Sequence, residues 1–466
     1  MDTDSLDALI GTVGQYLSVL TPAYGLVVKI WNTYDSVKTG RQRCGLVVRR
    51  AAWVLKTIND EMPKDGVEAN AASLKALQQH MTDVLTIIQR QAEMSFFKAL
   101  LRAGDINTAI EEAHRRLSDC LLCFQISLQR EYFYHQIENQ KEASRQADVA
   151  KLEELRKKAA GNYHETKRLL EINGESDEDE AMAAIQKRLN ARADETAPET
   201  RLLRQSLDCL QVTTGRSAPK LSKWSITRHD LDLGETIGAG GFSTVKTAQY
   251  RKKTVAVKVL KDVSREVGDL DVIRILLMSR AVQALEREIE IWGNLRHDHI
   301  VPFYGAAILS SPPLMVSRYM RNGNLLQYLS ARPQANRVKL VYEICLGMLY
   351  LHEENVIHGD LKAVNVLVDD SGSACITDFG LSKVKSPSPV TSRSGLGGTL
   401  RFMAPEAIKT GILTLETDVY AFGMIIYEIF TESVPFSSLP DKVVREGNLI
   451  LERPTIKGCD RTWLGR

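Results

Sequence analysis

The sequence lacks a dominant charge. Its 60 Lys and Arg nearly balance 58 Asp and Glu, leaving a formal net charge of +2. No global field therefore calls for a nucleic-acid partner. A cysteine framework is also missing. Seven Cys are scattered along the chain. Only Cys120 and Cys123 form a C-x-x-C, and no second pair completes a zinc set. They sit in the apolar helical stretch DCLLCF, where buried packing is the expectation. An odd count without a pairing pattern fits a reducing compartment and a cytoplasmic protein. The N-terminal MDTDSLD is acidic and lacks the positive region of a secretory signal. Residues 8–28 lack any charge and are long enough to span a bilayer. However, Gln15, Ser18, two Thr, Pro22 and three Gly dilute this stretch. A buried helix pair, or a helix kinked at Pro22, is expected there instead. No internal repeat is visible.

What is present reads as a soluble globular chain. It has 466 residues, 44% hydrophobic and 25% charged, which suggests about two to four domains. From 44 to 58, Cys44, Val47, Val48, Ala51, Val54, Leu55 and Ile58 recur at helical spacing. Leu74, Leu77, Met81, Val84, Leu85 and Ile88 form a second stripe, after a break at Pro63–Gly66. Ile106, Ile110, Ala113, Leu117, Cys120, Leu121 and Phe124 form a third. With residues 5–34 these predict four antiparallel helices, and a four-helix bundle over 1–130 buries all four stripes. The charge-rich 131–172 reads as an exposed helical arm or short coiled coil. The acidic ESDEDE and the polar residues after it suggest a linker with some helix over 173–230. From about Leu231, short β-branched runs (TVAVKVL, PLMVSRY) give way after 334 to helical patterns. That layout is α+β, a small strand-rich lobe before a larger helical lobe.

The motifs of this second half handle phosphate. IGAGGFSTV at 237–245 matches G-x-G-x-x-G at Gly238 and Gly240, with Ser243 in the third place. Glycines let backbone N–H groups approach phosphate oxygens. Taken alone, the stretch could equally be a Gly-rich hairpin turn. No GK[ST] follows, so it is not a Walker A loop, and the strand after it excludes a Rossmann reading. Lys258 ends VAVK in an apolar strand. A lysine pointing inward there needs an anion; one at a sheet edge would point to water. HGDLKAVN follows at 358–365, then Asp378-Phe379-Gly380, then Ala404-Pro405-Glu406. These motifs in this order resemble the eukaryotic protein-kinase signature set, over 231 to the end. The resemblance implies a bilobal kinase domain, which here follows the all-α four-helix bundle and the helical linker read above.

The resemblance also implies roles for residues. Gly238, Gly240 and the backbone to Ser243 would cover the ATP phosphates. Lys258 would hold the α/β-phosphates and pair with Glu288. Asp360 would orient the substrate hydroxyl, and Lys362 would steady the γ-phosphate. Asn365 and Asp378 would bind Mg²⁺, which prefers such oxygen ligands. The backbone at Arg318, Tyr319 and Met320 would meet adenine, with Ser317 as a small gatekeeper and Val245, Ala256 and Leu367 around the ring. Lys362, Gly398-Thr399 and TDVYAFG resemble the tyrosine-kinase-like group of serine/threonine kinases. The expected activity is transfer of the ATP γ-phosphate to protein hydroxyls.

Two departures stand out. Gly359 takes the place of the family's usual Arg, which docks a phosphorylated activation loop. Control of the loop 381–400, with Ser386, Ser388, Thr391, Ser392 and Ser394, is therefore expected not to run through this position. The family also continues past this chain's GCDRTWLGR to a late Arg that pairs with the Glu of A-P-E. The C-lobe is thus expected to be incomplete and Glu406 to lack that partner.

The first half, by layout and by RQRCGLVVRR, resembles the helical bundle of the mixed-lineage kinase domain-like family. That implies self-association or partner recruitment through residues 1–172. Lys38, Arg41, Arg43, Arg49, Arg50 and Lys56, with no acid over 36–58, could favour an anionic membrane surface or simply form a solvated face. The alternative to an enzyme is a non-catalytic signalling or cell-death effector, whose kinase-like domain gates a membrane-active or scaffolding bundle.

Overall fold

A computed structural model describes residues 20–61, 71–124, 131–191, 194–240, 243–260, 285–379, 383–384 and 399–445. Residues 8–19, the break at Pro63–Gly66, the loop Ser and Thr positions from Ser386 to Ser394, and the segment 446–466 lie outside these. The chain divides into two units, Met1–Lys220 and Leu221–Arg466.

In the first unit, α1 (Thr21–Tyr34), α2 (Arg41–Glu61), α3 (Ala71–Glu93) and α5 (Ala103–Cys123) each pack on two of the others. The contacts α1–α2, α2–α5, α5–α3 and α3–α1 close a ring, as a bundle requires. Its core is the stripe residues read from the sequence, including Val47, Val54, Ile58, Leu77, Met81, Ile88, Ile110 and Leu117, all fully buried or nearly so. Cys120 lies among them, and burial pushes its thiol up to about 12. Such a thiol is inert.

The helix α6 (Glu131–Ala159) is not a free arm, because it packs along α2. The buried Asp148 carboxylate accepts from Gln42 N at 3.0 Å, Arg43 N at 3.3 Å and Arg43 Nε at 2.9 Å. It thereby caps the N-terminus of α2, where unpaired N–H groups and the helix dipole favour an anion. Most of the expected basic face is spent similarly. Lys38 pairs with Glu171 at 3.4 Å and Arg41 with Asp35 at 2.8 Å. Arg50 donates to His114 Nδ1 at 3.2 Å and to Ser118 Oγ at 2.7 Å. Burial, then the Arg50 charge, lowers the His114 imidazole to about 3, so it stays a neutral acceptor. No described helix is long and apolar enough to cross a membrane.

The stretch expected as a linker holds α8 (Glu175–Asn190) and α9 (Pro198–Thr214). Together with α4 (Phe96–Leu101) and α7 (Tyr163–Leu169), they share a core of Phe97, Leu152, Met182, Ile185, Leu202 and Leu203. The acidic run conceals this core because its charges have partners. Glu178, 3% exposed, accepts from Tyr163 Oη at 2.5 Å and Lys167 Nζ at 2.9 Å, and it pairs with Arg216. Pro198 at the start of α9 and Gly215 just past its end, at φ 66°, are helix boundary signals that the sequence does carry.

The second unit opens with an antiparallel sheet of order β1-β2-β3-β5-β4. Its strands are β1 (Asp232–Ala239), β2 (Ser243–Tyr250), β3 (Lys253–Leu260), β4 (Phe303–Ala307) and β5 (Leu314–Arg318). Val255 and Val257 bury one face against Ile226, Leu231 and Val316. Strand alternation then turns Ala256 and Lys258 to the opposite face. The helical part holds α10 (285–292), α11 (Leu325–Ala331), α12 (Arg337–Glu353), α13 (Pro405–Thr410), α14 (Leu415–Thr431) and α15 (Asp441–Arg445). Short strands β6 (Val356–Ile357), β7 (Val366–Val368), β8 (Ala374–Ile376) and β9 (Lys383–Val384) pair as β6–β9 and β7–β8.

Glu178 carries a testable pH dependence. Burial alone would raise its carboxyl, but the hydrogen bonds from Tyr163 and Lys167 and the Lys167 and Arg216 charges hold it below the usual value. A depressed folded value gives stability that is present above the ordinary glutamate range near 4.3 and lost as pH falls through the folded value. Glu178→Gln is expected to destabilise the helical unit by about 1–3 kcal/mol at pH 7 and to flatten the acid limb. Denaturant unfolding followed by circular dichroism from pH 3 to 8 checks both.

Candidate active site

Lys258 is the centre of the first cluster. Its Nζ lies 3.0 Å from Glu288 Oε1 on α10 and 2.9 Å from Asp378 Oδ1 just after β8. Burial works against the ammonium, yet Asp378 and Glu288 hold its pKa well above that of an ordinary lysine. Burial would raise Asp378 too, but the facing ammonium keeps its carboxyl below the usual range. At Glu288 burial outweighs the same ammonium and raises the carboxyl, so the opposed charges are chiefly those of Lys258 and Asp378. Of the three neighbouring glutamates Glu286, Glu288 and Glu290, it is Glu288 that is buried and paired with Lys258. The Asp378 backbone sits at φ 67°, left-handed for a residue with a side chain. What holds it there is its neighbour Phe379, 1% exposed, wedged 5.6 Å from Trp292 and 5.4 Å from His358 between ring centroids.

The second cluster is the loop 358–365 between β6 and β7. Asp360 Oδ2 accepts from Lys362 Nζ at 2.8 Å and from Asn365 Nδ2 at 3.1 Å. Asn365 Nδ2 also donates to the Asp360 carbonyl at 2.8 Å, so its own Oδ1 is left for another partner. Asp360 Oδ1 is buried and, among the described residues, has no hydrogen-bond partner. A buried, unpaired carboxylate oxygen is costly unless something donates to it. The two clusters are joined through backbone, because Thr377 N donates to Asn365 O at 2.9 Å, one residue before Asp378.

Three residues build this loop, and two of them, His358 and Asp418, carry no role in the sequence reading. His358 is fully buried, its Nδ1 3.2 Å from Asp360 N–H and its Nε2 3.0 Å from Thr377 O. Those partners fix the neutral tautomer with the proton on Nε2. Asp418 on α14 accepts from His358 N at 2.7 Å and Gly359 N at 2.9 Å. It stands in the quoted TDVYAFG, but its partners lie about sixty residues upstream, a distance no local pattern spans. Gly359 has φ 77°. In the left-handed region glycine is the residue without a steric penalty.

The remaining candidates line the open face of the sheet. Gly238 pairs with Val245, Val245 with Lys258, and Ala256 with Ser317 in register. Gly240 N donates to Ser243 O at 2.8 Å, which makes the Gly-rich stretch a hairpin, although residues 241–242 lie outside the described set. Leu367 is on β7, bridged to Asn324. Met320 is buried and Tyr319 half-buried after β5.

Residues 231–448 match the protein tyrosine and serine/threonine kinase family, and this part of the chain is a protein kinase domain. The chain is 36% identical over 226 residues to serine/threonine-protein kinase CTR1 of Arabidopsis thaliana, covering 46% of this chain and 26% of that protein. It is 33% identical over 243 residues to tyrosine-protein kinase csk-1 of Caenorhabditis elegans, covering 50% and 42%. Serine/threonine-protein kinase STY46 of Arabidopsis thaliana is 31% identical over 217 residues, at 46% and 35%. The chain thus spans well under two thirds of each of these relatives. The family uses ATP and Mg²⁺.

The residues present fit both. Asn365 Oδ1 and the Asp378 carboxylate are two hard oxygen donors on segments joined by the Thr377 N–Asn365 O hydrogen bond. Mg²⁺ typically takes one or two such protein ligands and fills its octahedron with phosphate and water. Among the described residues no set of three or more His, Cys, Asp or Glu gathers as a metal site.

Gly359→Ala is expected to destabilise the kinase domain by about 1 kcal/mol, because Cβ is disfavoured at φ 77°. Thermal unfolding measures it. An unchanged midpoint would mean the loop adopts another backbone in solution.

Proposed function

We propose that this chain is a serine/threonine protein kinase acting in signal transduction, with the helical unit serving as an adaptor for self-association or partner recruitment. The observation that carries the reading is the cluster of Lys258, Glu288 and Asp378, joined through Thr377 to the loop of Asp360, whose buried Oδ1 has no donor among the described residues. On this reading the sheet and the helical part form two lobes around the nucleotide. Lys258, already fixed by Glu288, binds the α/β-phosphates. Asp378 and Asn365 hold Mg²⁺, which when bound neutralises charge on the phosphates. Asp360 Oδ1 accepts the hydrogen of the substrate hydroxyl and orients its oxygen for attack. Lys362, bonded to Asp360, offers its ammonium to the transferring group. Positioning and charge neutralisation dominate this chemistry, and Lys258, Asp360, Lys362, Asn365 and Asp378 are the groups that would supply them.

Two features favour serine and threonine. Lys362 stands two residues after Asp360, and relatives CTR1 and STY46 bear that name. The csk-1 match makes tyrosine the competing outcome. Gly359 supports the further reading that loop phosphorylation does not act through this position, since no guanidinium is available there.

Transfer of labelled γ-phosphate to a generic protein substrate, followed by phosphoamino-acid analysis, tests the assignment. Asp360→Asn and Asp378→Ala should each lower the rate by about a hundredfold or more. Equal signals for wild type and Asp378→Ala would remove the enzyme reading in favour of a non-catalytic effector. Phosphatase-treated wild type should retain most of its turnover. Complete loss, restored by loop phosphorylation, would sink the reading of Gly359.

A further inference from the structure

The segment leaving β5 is stitched to the β7–β8 hairpin at four points. Val368 N donates to Gly323 O at 2.9 Å. Asn324 bridges Leu367 through backbone. Asn322 Nδ2 donates to the Asp369 carbonyl. The fourth link is the charged one, with Arg318 Nη2 lying 3.6 Å from Asp369 Oδ2.

Both ends of that ion pair are rigidly held. Arg318 pairs in register with Val255, and its N–H donates to Pro302 O at 3.0 Å. Asp369 Oδ1 accepts from Ser371 N at 2.9 Å, Ser371 Oγ at 2.6 Å and Ser373 N at 3.0 Å, which shapes the β7–β8 turn. The Asp369 side chain is 14% exposed, so its charge is only partly screened. The Asp369 carboxylate is fixed by its turn, so pairing orders only the Arg318 side chain, which is 39% exposed.

We propose that Arg318 and Asp369 are a positioning pair that sets the spacing between residues 318–320 and Leu367, the two sides of the adenine pocket. The assignment rests on the nucleotide-binding reading given above. Neither side chain touches the reacting atoms. Arg318 acts by holding the backbone of its own segment at a fixed distance from β7.

Calorimetric titration of the full chain with adenosine and with ADP tests this, using wild type, Arg318→Lys, Arg318→Gln and Arg318→Glu. Arg318→Gln should weaken both ligands alike by about threefold, and Arg318→Glu, which faces Asp369 with a like charge, by about tenfold. Arg318→Lys should stay within about twofold of wild type, and the losses should shrink at high salt. Unfolding midpoints should stay close to wild type. The proposal fails if Arg318→Glu binds adenosine as wild type does. It also fails if only ADP binding weakens, because that would be long-range attraction for phosphate. A lowered midpoint with equal losses for Lys and Glu would make the role structural. Wild type binding neither adenosine nor ADP would instead remove the nucleotide-binding reading itself.

Discussion

A single ammonium organises the second half of this molecule. Lys258 must leave the apolar face of β3 because Val255 and Val257 occupy it, so strand alternation drives its charge to the other side of the sheet. An ammonium held there needs anions. Glu288 supplies one and thereby ties α10 to the sheet. Asp378 supplies the other and ties the end of β8 to the same point. Breaking either contact would leave a poorly solvated charge, which is why the cluster holds three separate segments in one place.

The loop 358–365 is ordered by different means. Asp418 gathers two successive N–H groups at its start, and Gly359 lets the backbone turn left-handed between them. His358 then links the loop to Thr377, next to Asp378. The candidate acidic and amide groups are thus aligned by hydrogen bonds within the fold. Among the described residues Asp360 Oδ1 stays unpaired in this network. Native structures leave few such atoms, and each calls for an explanation.

The helical unit uses charge for construction. Asp148 seats α6 on the end of α2, and Glu178 gathers three partners from beyond its own helix turn. This is why composition misled at 131–230. A run such as ESDEDE has the appearance of a solvated linker, because a sequence displays charges without their partners. The apolar stripes of the bundle were legible because period-3.6 burial is local and repeated. Boundary signals at Pro198 and Gly215 were legible too, but they mark where a helix stops, not what it packs against.

The sequence by itself determined the kinase class, the order of its motifs and the chemical type of each candidate group. These follow from residue identity and short spacing, which are one-dimensional facts. It also singled out Gly359 as a departure, though not the left-handed backbone that glycine relieves there. Only the tertiary structure decided that Asp418 holds the loop, that Arg318 meets Asp369, and that Lys38, Arg43 and Arg50 find partners far along the chain. Those outcomes depend on contacts between residues dozens of positions apart, and only the packed chain brings them together.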